Sequence, residues 1–127
     1  MAITSFIAGE AISAGNAVYV TPSGYIYRAI ATNQTQAAVV GLSLDTVVVS
    51  GLARVVSDFI YSNSSSLTPG TFQYLSVATS GNVVSYSTWQ TELNATTLSG
   101  AFLTNVGRAL STTSLEVEVQ KPIYITK

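Results

Sequence analysis

An internal repeat of glycine-bearing motifs constrains the fold of this chain more than any other feature. A first motif reads Ile-Ser-Ala-Gly, three residues, then Tyr-Val, and a related copy reads Leu-Thr-Pro-Gly, three residues, then Tyr-Leu. The glycines of the two copies, Gly15 and Gly70, are offset by 55 positions (70 − 15). A second Val-Gly motif follows in each half, at Gly41 and Gly107, with an offset of 66 (107 − 41). Repetition of this kind indicates one supersecondary unit used twice.

The residues around these motifs have the composition and spacing of β-strands. Val, Ile, Thr and Tyr dominate, and turn signals recur at short intervals. The turn-forming run Thr21–Gly24 predicts a hairpin between Ala17–Val20 and Tyr25–Ala31. Further strands are predicted at Phe72–Ala78, Val83–Tyr86, Ala38–Leu44, Val47–Ser57, Phe102–Leu110 and Ser114–Gln120. The sequence therefore predicts an all-β fold, a small antiparallel barrel or sandwich built from two similar β-units.

The chain length predicts a single domain over residues 1–127, with a first β-unit at 9–57 and a second at 67–120. Residues 1–8 are a candidate N-terminal arm. The second unit carries eleven extra residues between its motifs (66 − 55). At most one short helix is expected there, near Ser87–Leu93, with Ser87 as its cap and with Trp89 and Leu93 on one side. A bulky loop anchored by Trp89 is the alternative.

The charge content excludes several classes of partner. Only 9% of the residues are charged, against about 25% in an average soluble domain. Five basic and six acidic residues are scattered along the chain, so the phosphate-tracking patch of a nucleic-acid binder is missing. No apolar run approaches the roughly 18 residues of a membrane span. A surface with so few charges is poorly protected against association, which predicts that much of it is buried against partners.

The residue types that perform most catalysis are also scarce. The chain has no histidine and no cysteine, which removes the commonest general base, thiol nucleophile and soft metal ligands. Glu116 and Glu118 share a strand face and are interpreted as a solvated face rather than a catalytic pair. Asp45 is interpreted as the start of a turn rather than a calcium ligand. We therefore expect no enzymatic activity, no cofactor and no metal. The seven tyrosines fit sheet packing or an interface, with carbohydrate binding as the alternative.

Several runs resemble one family of phage proteins. The run Ala8–Val20, followed by Ser23–Gly24 and Val40–Leu42, resembles the start of a bacteriophage capsid decoration (cement) protein module. The rest of that module is similar to Leu67–Gly70, Tyr74–Ser76, Thr79–Gly81 and Val106–Ser111. The resemblance covers most of the chain and implies a small, β-tulip-like barrel that binds the outside of an icosahedral shell, commonly as a trimer. Similar modules also occur in phage tail fibres.

The expected function is that of a structural virion protein on the capsid surface, made in the host bacterial cytoplasm. It would bind the major capsid protein, as a homotrimer, and stabilise the shell by bridging adjacent capsid subunits. A dimer is the main competing assembly, since two-fold oligomers are generally commonest. The alternative function is a tail-fibre or appendage module that binds a host receptor or glycan, and a hydrolase with an unrecognised carboxylate site is a third.

The first residues are the expected partner-binding element. Members of the family that the chain resembles often carry a terminal arm that joins a neighbour. The candidate arm residues here are Ile3, Thr4, Ser5, Phe6 and Ile7. They are largely apolar yet precede the first repeat, so we expect them to pair as a strand with a neighbouring protomer or the capsid and to bury Phe6. The alternative is that they pair with the sheet of their own domain.

Overall fold

The structure, a computed structural model, describes residues 3–58, 60–62 and 67–127. Twelve strands and two short helices succeed one another in this part of the chain. The all-β prediction is confirmed. The expectation of at most one helix is wrong, because a single helical turn also forms at Gln34–Ala37 (α1), where the Asn33 side chain accepts a hydrogen bond of 2.8 Å from the Gln36 N–H.

The first half of the chain forms a closed barrel. Its strands are β1 (Ile3–Ala8), β2 (Ala17–Val20), β3 (Tyr25–Arg28), β4 (Gly41–Ser43) and β5 (Leu52–Val56). Their order around the barrel is β1-β3-β2-β4-β5. All pairings are antiparallel except that of β1 with β3, which runs parallel and closes the barrel.

The second half forms an open sheet and a small companion sheet. Its elements are β6 (Ile60–Tyr61), β7 (Phe72–Leu75), β8 (Val83–Val84), α2 (Tyr86–Ala95), β9 (Gly100–Leu103), β10 (Asn105–Ala109), β11 (Leu115–Val117) and β12 (Ile123–Thr126). In the described part, five strands pair in the order β6-β11-β10-β7-β8, and β12 pairs with β9 in a separate two-stranded sheet.

The two units share strand order and hydrogen-bond register. Read from its first strand, the barrel runs β1-β5-β4-β2-β3, and the second sheet runs β6-β11-β10-β7-β8 in the matching order. The Gly15 N–H donates to the Ser43 carbonyl at 2.7 Å, and the Gly70 N–H donates to the Ala109 carbonyl at 2.8 Å. Gly15 and Gly70 also share a positive φ, of 90° and 86°. The chain is therefore built from two similar β-units, as the repeat predicted.

The glycines of the second motif occupy equivalent positions of close backbone approach. A Cβ atom on Gly41 would lie 2.3 Å from the carbonyl oxygen of Val56 in β5. A Cβ atom on Gly107 would lie 2.1 Å from the carbonyl oxygen of Glu116 in β11. Any side chain at either position would push the neighbouring strand away, so the repeated Val-Gly motif has the same steric cause in both units.

The described residues form two apolar clusters, one inside the barrel and one between the two units. The barrel encloses one of them: Ala8, Ile12, Val18, Ile26, Ala53 and Val55. The larger cluster joins the outer face of the barrel to the second sheet and includes Ala17, Leu42, Val56, Leu75, Val106, Leu115 and Val117. Alternate residues of a strand point to opposite faces, so the barrel strands contribute to both clusters. The second sheet covers one side of the barrel, and the outer face of the second sheet remains in solvent.

Helix α2 lies in the insertion of the second unit, where a helix was expected. Ser85 is its N-cap and its side chain accepts from the Thr88 N–H at 3.3 Å, so the cap is two residues earlier than the predicted Ser87. Trp89 and Leu93 are buried on one side, as expected. The Trp89 indole N–H donates to the Phe102 carbonyl at 3.2 Å, which satisfies the one polar atom of this large side chain.

Candidate interaction surface

The residues expected to form an N-terminal arm are a strand of the barrel. Ile3–Ala8 is β1, and it pairs with β5 from the Ile3–Val56 position to the Ile7–Leu52 position. Its last two residues, Ile7 and Ala8, pair with β3, and this pairing closes the barrel. The expected arm before the first unit is therefore corrected to an integral strand, and pairing with its own sheet, the alternative left open by the sequence, is what the structure shows. Backbone hydrogen bonds to β5 explain why this apolar segment does not extend away from the domain.

The five predicted contact residues are not equally accessible. Phe6 is half-buried and packs against the interior of the barrel. The other four, Ile3, Thr4, Ser5 and Ile7, are exposed. The structure thus leaves four of the predicted residues exposed, and Phe6 packs in the core of its own domain. Contact with a partner through the exposed four stays a prediction.

Ile7 lies at the centre of an exposed apolar surface. Its register partner in β5 is Leu52, which is 64% exposed, and its register partner in β3 is Tyr25, which is also exposed. Residues that are directly opposite in neighbouring strands have adjacent side chains on the same face. These three side chains therefore form one continuous apolar strip across three strands.

The turn before β5 adds two exposed apolar residues. Val48 is 73% exposed and Val49 is also exposed. The turn is held against the end of β1 by two backbone hydrogen bonds of 2.8 Å, from the Ser50 N–H to the Ala8 carbonyl and from the Ala8 N–H to the Gly51 carbonyl. We call the whole surface the barrel patch: Ile7, Tyr25, Val48, Val49 and Leu52. Isolated exposed apolar residues are ordinary, whereas a group of them on a closed barrel is a candidate interaction site.

A neutralised ion pair borders the barrel patch. Arg54 lies two residues after Leu52, on the same face of β5, and binds Asp45 through two guanidinium contacts of 3.0 and 2.7 Å. The Arg54 backbone N–H also donates to Asp45, at 2.9 Å. These hydrogen bonds from Arg54 lower the pKa of Asp45 to about 2, with desolvation opposing them. Asp45 is therefore the partner of Arg54, and the border of the patch carries no net charge.

Two other carboxylates, Glu116 and Glu10, are engaged in similar surface pairs. Glu116 lies 3.7 Å from Arg108 in the neighbouring strand, with both side chains about half exposed. Glu10 pairs with Arg28 at 3.5 Å and accepts from the Arg28 backbone N–H at 2.7 Å. Within residues 3–58, 60–62 and 67–127, no three acidic residues converge as a metal site would require. The same ranges contain no helix of the length and apolarity needed to cross a bilayer.

A second surface feature is a shallow depression on the outer face of the second sheet. It has a volume of about 340 Å³ and is lined by Phe72, Asn105, Gly107, Arg108, Glu116, Glu118 and Gln120. Phe72 is 50% exposed at its edge. The equivalent face of the first unit is covered by the second sheet, which explains why Leu42 is buried there while the matching residue Arg108 is in solvent.

Sequence reasoning missed most of the barrel patch. Of its five residues, Ile7 alone was among the predicted contacts. The run Val47–Val49 was interpreted as the beginning of a strand, whereas Val48 and Val49 lie in the turn before β5. No protein-family model matches this chain, and no curated protein sequence matches it. Function is therefore inferred from the geometry of the chain and from the resemblance of its motifs.

Proposed function

We propose that this protein is a structural component of a bacteriophage virion, located on the capsid surface. It binds the outside of an icosahedral shell and stabilises it by bridging adjacent major capsid subunits. The observation that carries the proposal is the barrel patch, an apolar surface presented by a closed barrel. The low charge content and the resemblance of the repeated motifs to capsid decoration modules support it. These features fit a binding protein that performs no chemistry.

The patch is suited to binding because its residues are already ordered. Tyr25, Leu52 and Ile7 are held by the ladders of three paired strands, so little backbone entropy is lost on docking. Full burial of a leucine side chain is worth about 1.5–3 kcal/mol. Because 64% of Leu52 is exposed, its burial against the shell would contribute about 1–2 kcal/mol. Summed over many copies, such contacts raise the cost of separating capsid subunits under the pressure of packaged DNA.

The electrostatics of the surface also favour docking. Burying a charge without a partner is costly, whereas Arg54 and Asp45 next to the patch already satisfy each other. Thirty-three of the 127 residues are Ser or Thr, whose hydroxyls can hydrogen-bond across an interface without carrying charge. Association through such a surface depends little on salt.

The proposal is tested by binding to purified capsid shells that lack the protein. Leu52→Glu introduces a charge within the patch and removes the most exposed apolar side chain of β5. The matched control is Leu110→Glu, since Leu110 is an exposed leucine in the second unit, outside the patch. We expect co-sedimentation with shells for the wild-type protein and for Leu110→Glu, and loss of binding for Leu52→Glu. Equal shell occupancy by both variants, or no binding by the wild-type protein, would contradict the proposal.

The depression on the second sheet favours one alternative function, that of a tail-fibre module which binds a glycan. An exposed aromatic ring beside amide and carboxylate groups is suited to a sugar, and Phe72 lies beside Asn105 and Glu118 in that arrangement. Under this alternative, Phe72→Ala abolishes adsorption of the protein to host cells, and Leu52→Glu leaves it unchanged. The opposite pattern supports the capsid assignment.

A further inference from the structure

The C-terminal strand β12 has an open edge. Among the described strands it pairs with β9 alone, in a register that sets Ile123 opposite Leu103 and Thr126 opposite Gly100. The Lys127 N–H extends this ladder by donating to the Ser99 carbonyl at 2.7 Å. Backbone groups alternate in direction along a strand, so those of residues 123, 125 and 127 face β9. The N–H and C=O groups of residues 124 and 126 consequently point away from the sheet.

The side chains of this edge do not protect it against pairing. Proteins usually block an exposed edge with a charged side chain, a proline or a bulge. The segment Ile123–Thr126 carries no charge and no proline, and Ile123 is 60% exposed. The nearest charge is turned away, because the Lys127 ammonium donates to the Thr96 carbonyl at the C-terminal end of α2. The four residues are also β-branched or aromatic, the types that favour strands.

We propose that β12 pairs antiparallel with β12 of a second copy of this chain, across a two-fold axis that passes between the two Ile125 residues. In this register Tyr124 of each copy is opposite Thr126 of the other. Both residues direct their backbone groups outward, so the pair forms four N–H···O=C hydrogen bonds. The result is a continuous four-stranded sheet, β9-β12-β12-β9. The inference stands on the geometry of the strand and does not depend on the proposed function.

A second copy fits this edge better than an unrelated strand. A two-fold contact requires that the same segment be complementary to itself, and an uncharged strand brings no like charges together. In this register, residue 124 of each copy lies opposite residue 126 of the other copy. Both positions direct their backbone groups outward, so two copies of the same strand match each other. Three other described strands have one strand neighbour, namely β6, β8 and β9. β6 and β8 have only two residues each, which is shorter than the four residues of β12. The second edge of β9 is already used, because the Phe102 N–H donates to the Ala31 carbonyl. The edge of β12 is therefore the one suited to symmetric pairing.

The pairing is weak for isolated molecules and strengthens when copies are held close together. Four residues per copy form an interface well below the roughly 1,000 Å² of a stable dimer. Copies fixed side by side on a surface have an effective concentration that reaches about the millimolar range, where such contacts become populated. Adjacent copies would then be linked edge to edge.

A disulfide trap tests the register directly, because the chain contains no cysteine of its own. In the proposed pair the two Ile125 residues face each other at a non-hydrogen-bonded position, where Cβ atoms come closest. We expect Ile125→Cys to form a disulfide dimer under mild oxidation at least ten-fold faster than Ile123→Cys. Position 123 is the matched control, since it lies on the same strand face but is opposite Lys127 of the other copy.

A second substitution separates edge pairing from accidental collision. Thr126→Pro removes an outward N–H that β9 does not use, and proline is tolerated at such edge positions. In the Ile125→Cys background we expect it to abolish the dimer while the protein remains folded by circular dichroism. Equal dimer formation with and without the proline, or equal rates for cysteines at 123 and 125, would overturn the proposal.

Amide hydrogen exchange tests the pairing in the unaltered protein, without any substitution in β12. At millimolar concentration we expect the amides of Tyr124 and Thr126 to become protected from exchange by at least three-fold relative to dilute protein. The amides of Ile123 and Ile125 already bond to β9 and should show no such concentration dependence. Concentration-independent exchange at residues 124 and 126 would overturn the proposed pairing.

Discussion

Substitution of Gly107 by alanine is expected to be among the most damaging single-methyl changes in this protein. The added Cβ atom would lie 2.1 Å from the carbonyl oxygen of Glu116, a backbone atom that cannot rotate away. The clash is relieved only by moving β10 and β11 apart. Overpacking of this kind typically costs about 1–3 kcal/mol. Weakening one ladder hydrogen bond adds about 0.5–1.5 kcal/mol, so we expect a loss of about 3 kcal/mol.

Alanine substitutions at two further glycines provide comparisons for the cost expected at Gly107. Gly41 is the equivalent residue of the first unit, where the Cβ would lie 2.3 Å from the Val56 carbonyl oxygen, so Gly41→Ala should cost a similar amount. Gly70 provides the contrast, because a Cβ there meets nothing within 4 Å and the cost comes only from its φ of +86°. A left-handed conformation costs a non-glycine residue about 1–2 kcal/mol.

The assay is thermal unfolding followed by circular dichroism, with urea unfolding for the free energies. A loss of 3 kcal/mol corresponds to a fall in Tm of about 10 °C for a domain of this size. We expect the order of destabilisation Gly107→Ala ≈ Gly41→Ala > Gly70→Ala. If Gly107→Ala costs under about 1 kcal/mol, or less than Gly70→Ala, the close approach of the strands is not what requires glycine there.

The remaining predictions concern the core, acid stability, the first strand and assembly. Trp89→Ala should destabilise the protein by about 3–5 kcal/mol in urea unfolding, because it empties a large buried site and orphans the Phe102 carbonyl. The pKa of Asp45 is lowered to about 2 from 3.8, so its ion pair stabilises the folded state above pH 3.8 and is lost as pH falls towards 2. The difference in Tm between the wild-type protein and Asp45→Asn should therefore decrease as the pH falls from 3.8 towards 2. A difference in Tm that does not change with pH would refute the stabilising role of the ionised Asp45. Deletion of residues 1–7 should abolish cooperative unfolding of the barrel because it removes most of β1, whereas a fully folded truncated protein would show that β1 is dispensable. Sedimentation at micromolar concentration should give the homotrimer that the motif resemblance implies, and a clean 13.3 kDa species would count against it in solution.

The repeat made the fold predictable to a useful degree. Motifs at Gly15 and Gly70 indicated two similar units, because turns with a positive φ and closely packed strands both require glycine at fixed positions. The position of Ile3–Ala8 was not predictable in the same way. Whether an apolar first segment pairs with its own sheet or with a neighbour depends on where the strand edges of the folded barrel lie, and local sequence does not encode that.

The interaction surface was harder to predict than the fold, for a physical reason. The run Leu52, Ala53 and Arg54 predicts a half-buried strand, but it does not indicate which side of the strand faces the core. In this protein the outer face of the barrel is buried at Leu42 and exposed at Leu52, because the second sheet covers one side of the barrel only. Exposure of the barrel patch is thus a consequence of how the two units pack. Individual residues such as Val48 give no signal of it.

The most direct test of the proposed function is quantitative mass spectrometry of purified virions from the phage that, under this proposal, encodes the chain. The proposed function predicts that the protein is present in many copies, in a fixed ratio to the major capsid protein, and that it is released from intact heads without loss of the tail. Absence from the particle, or a few copies that co-purify with tails, would contradict assignment to the capsid surface.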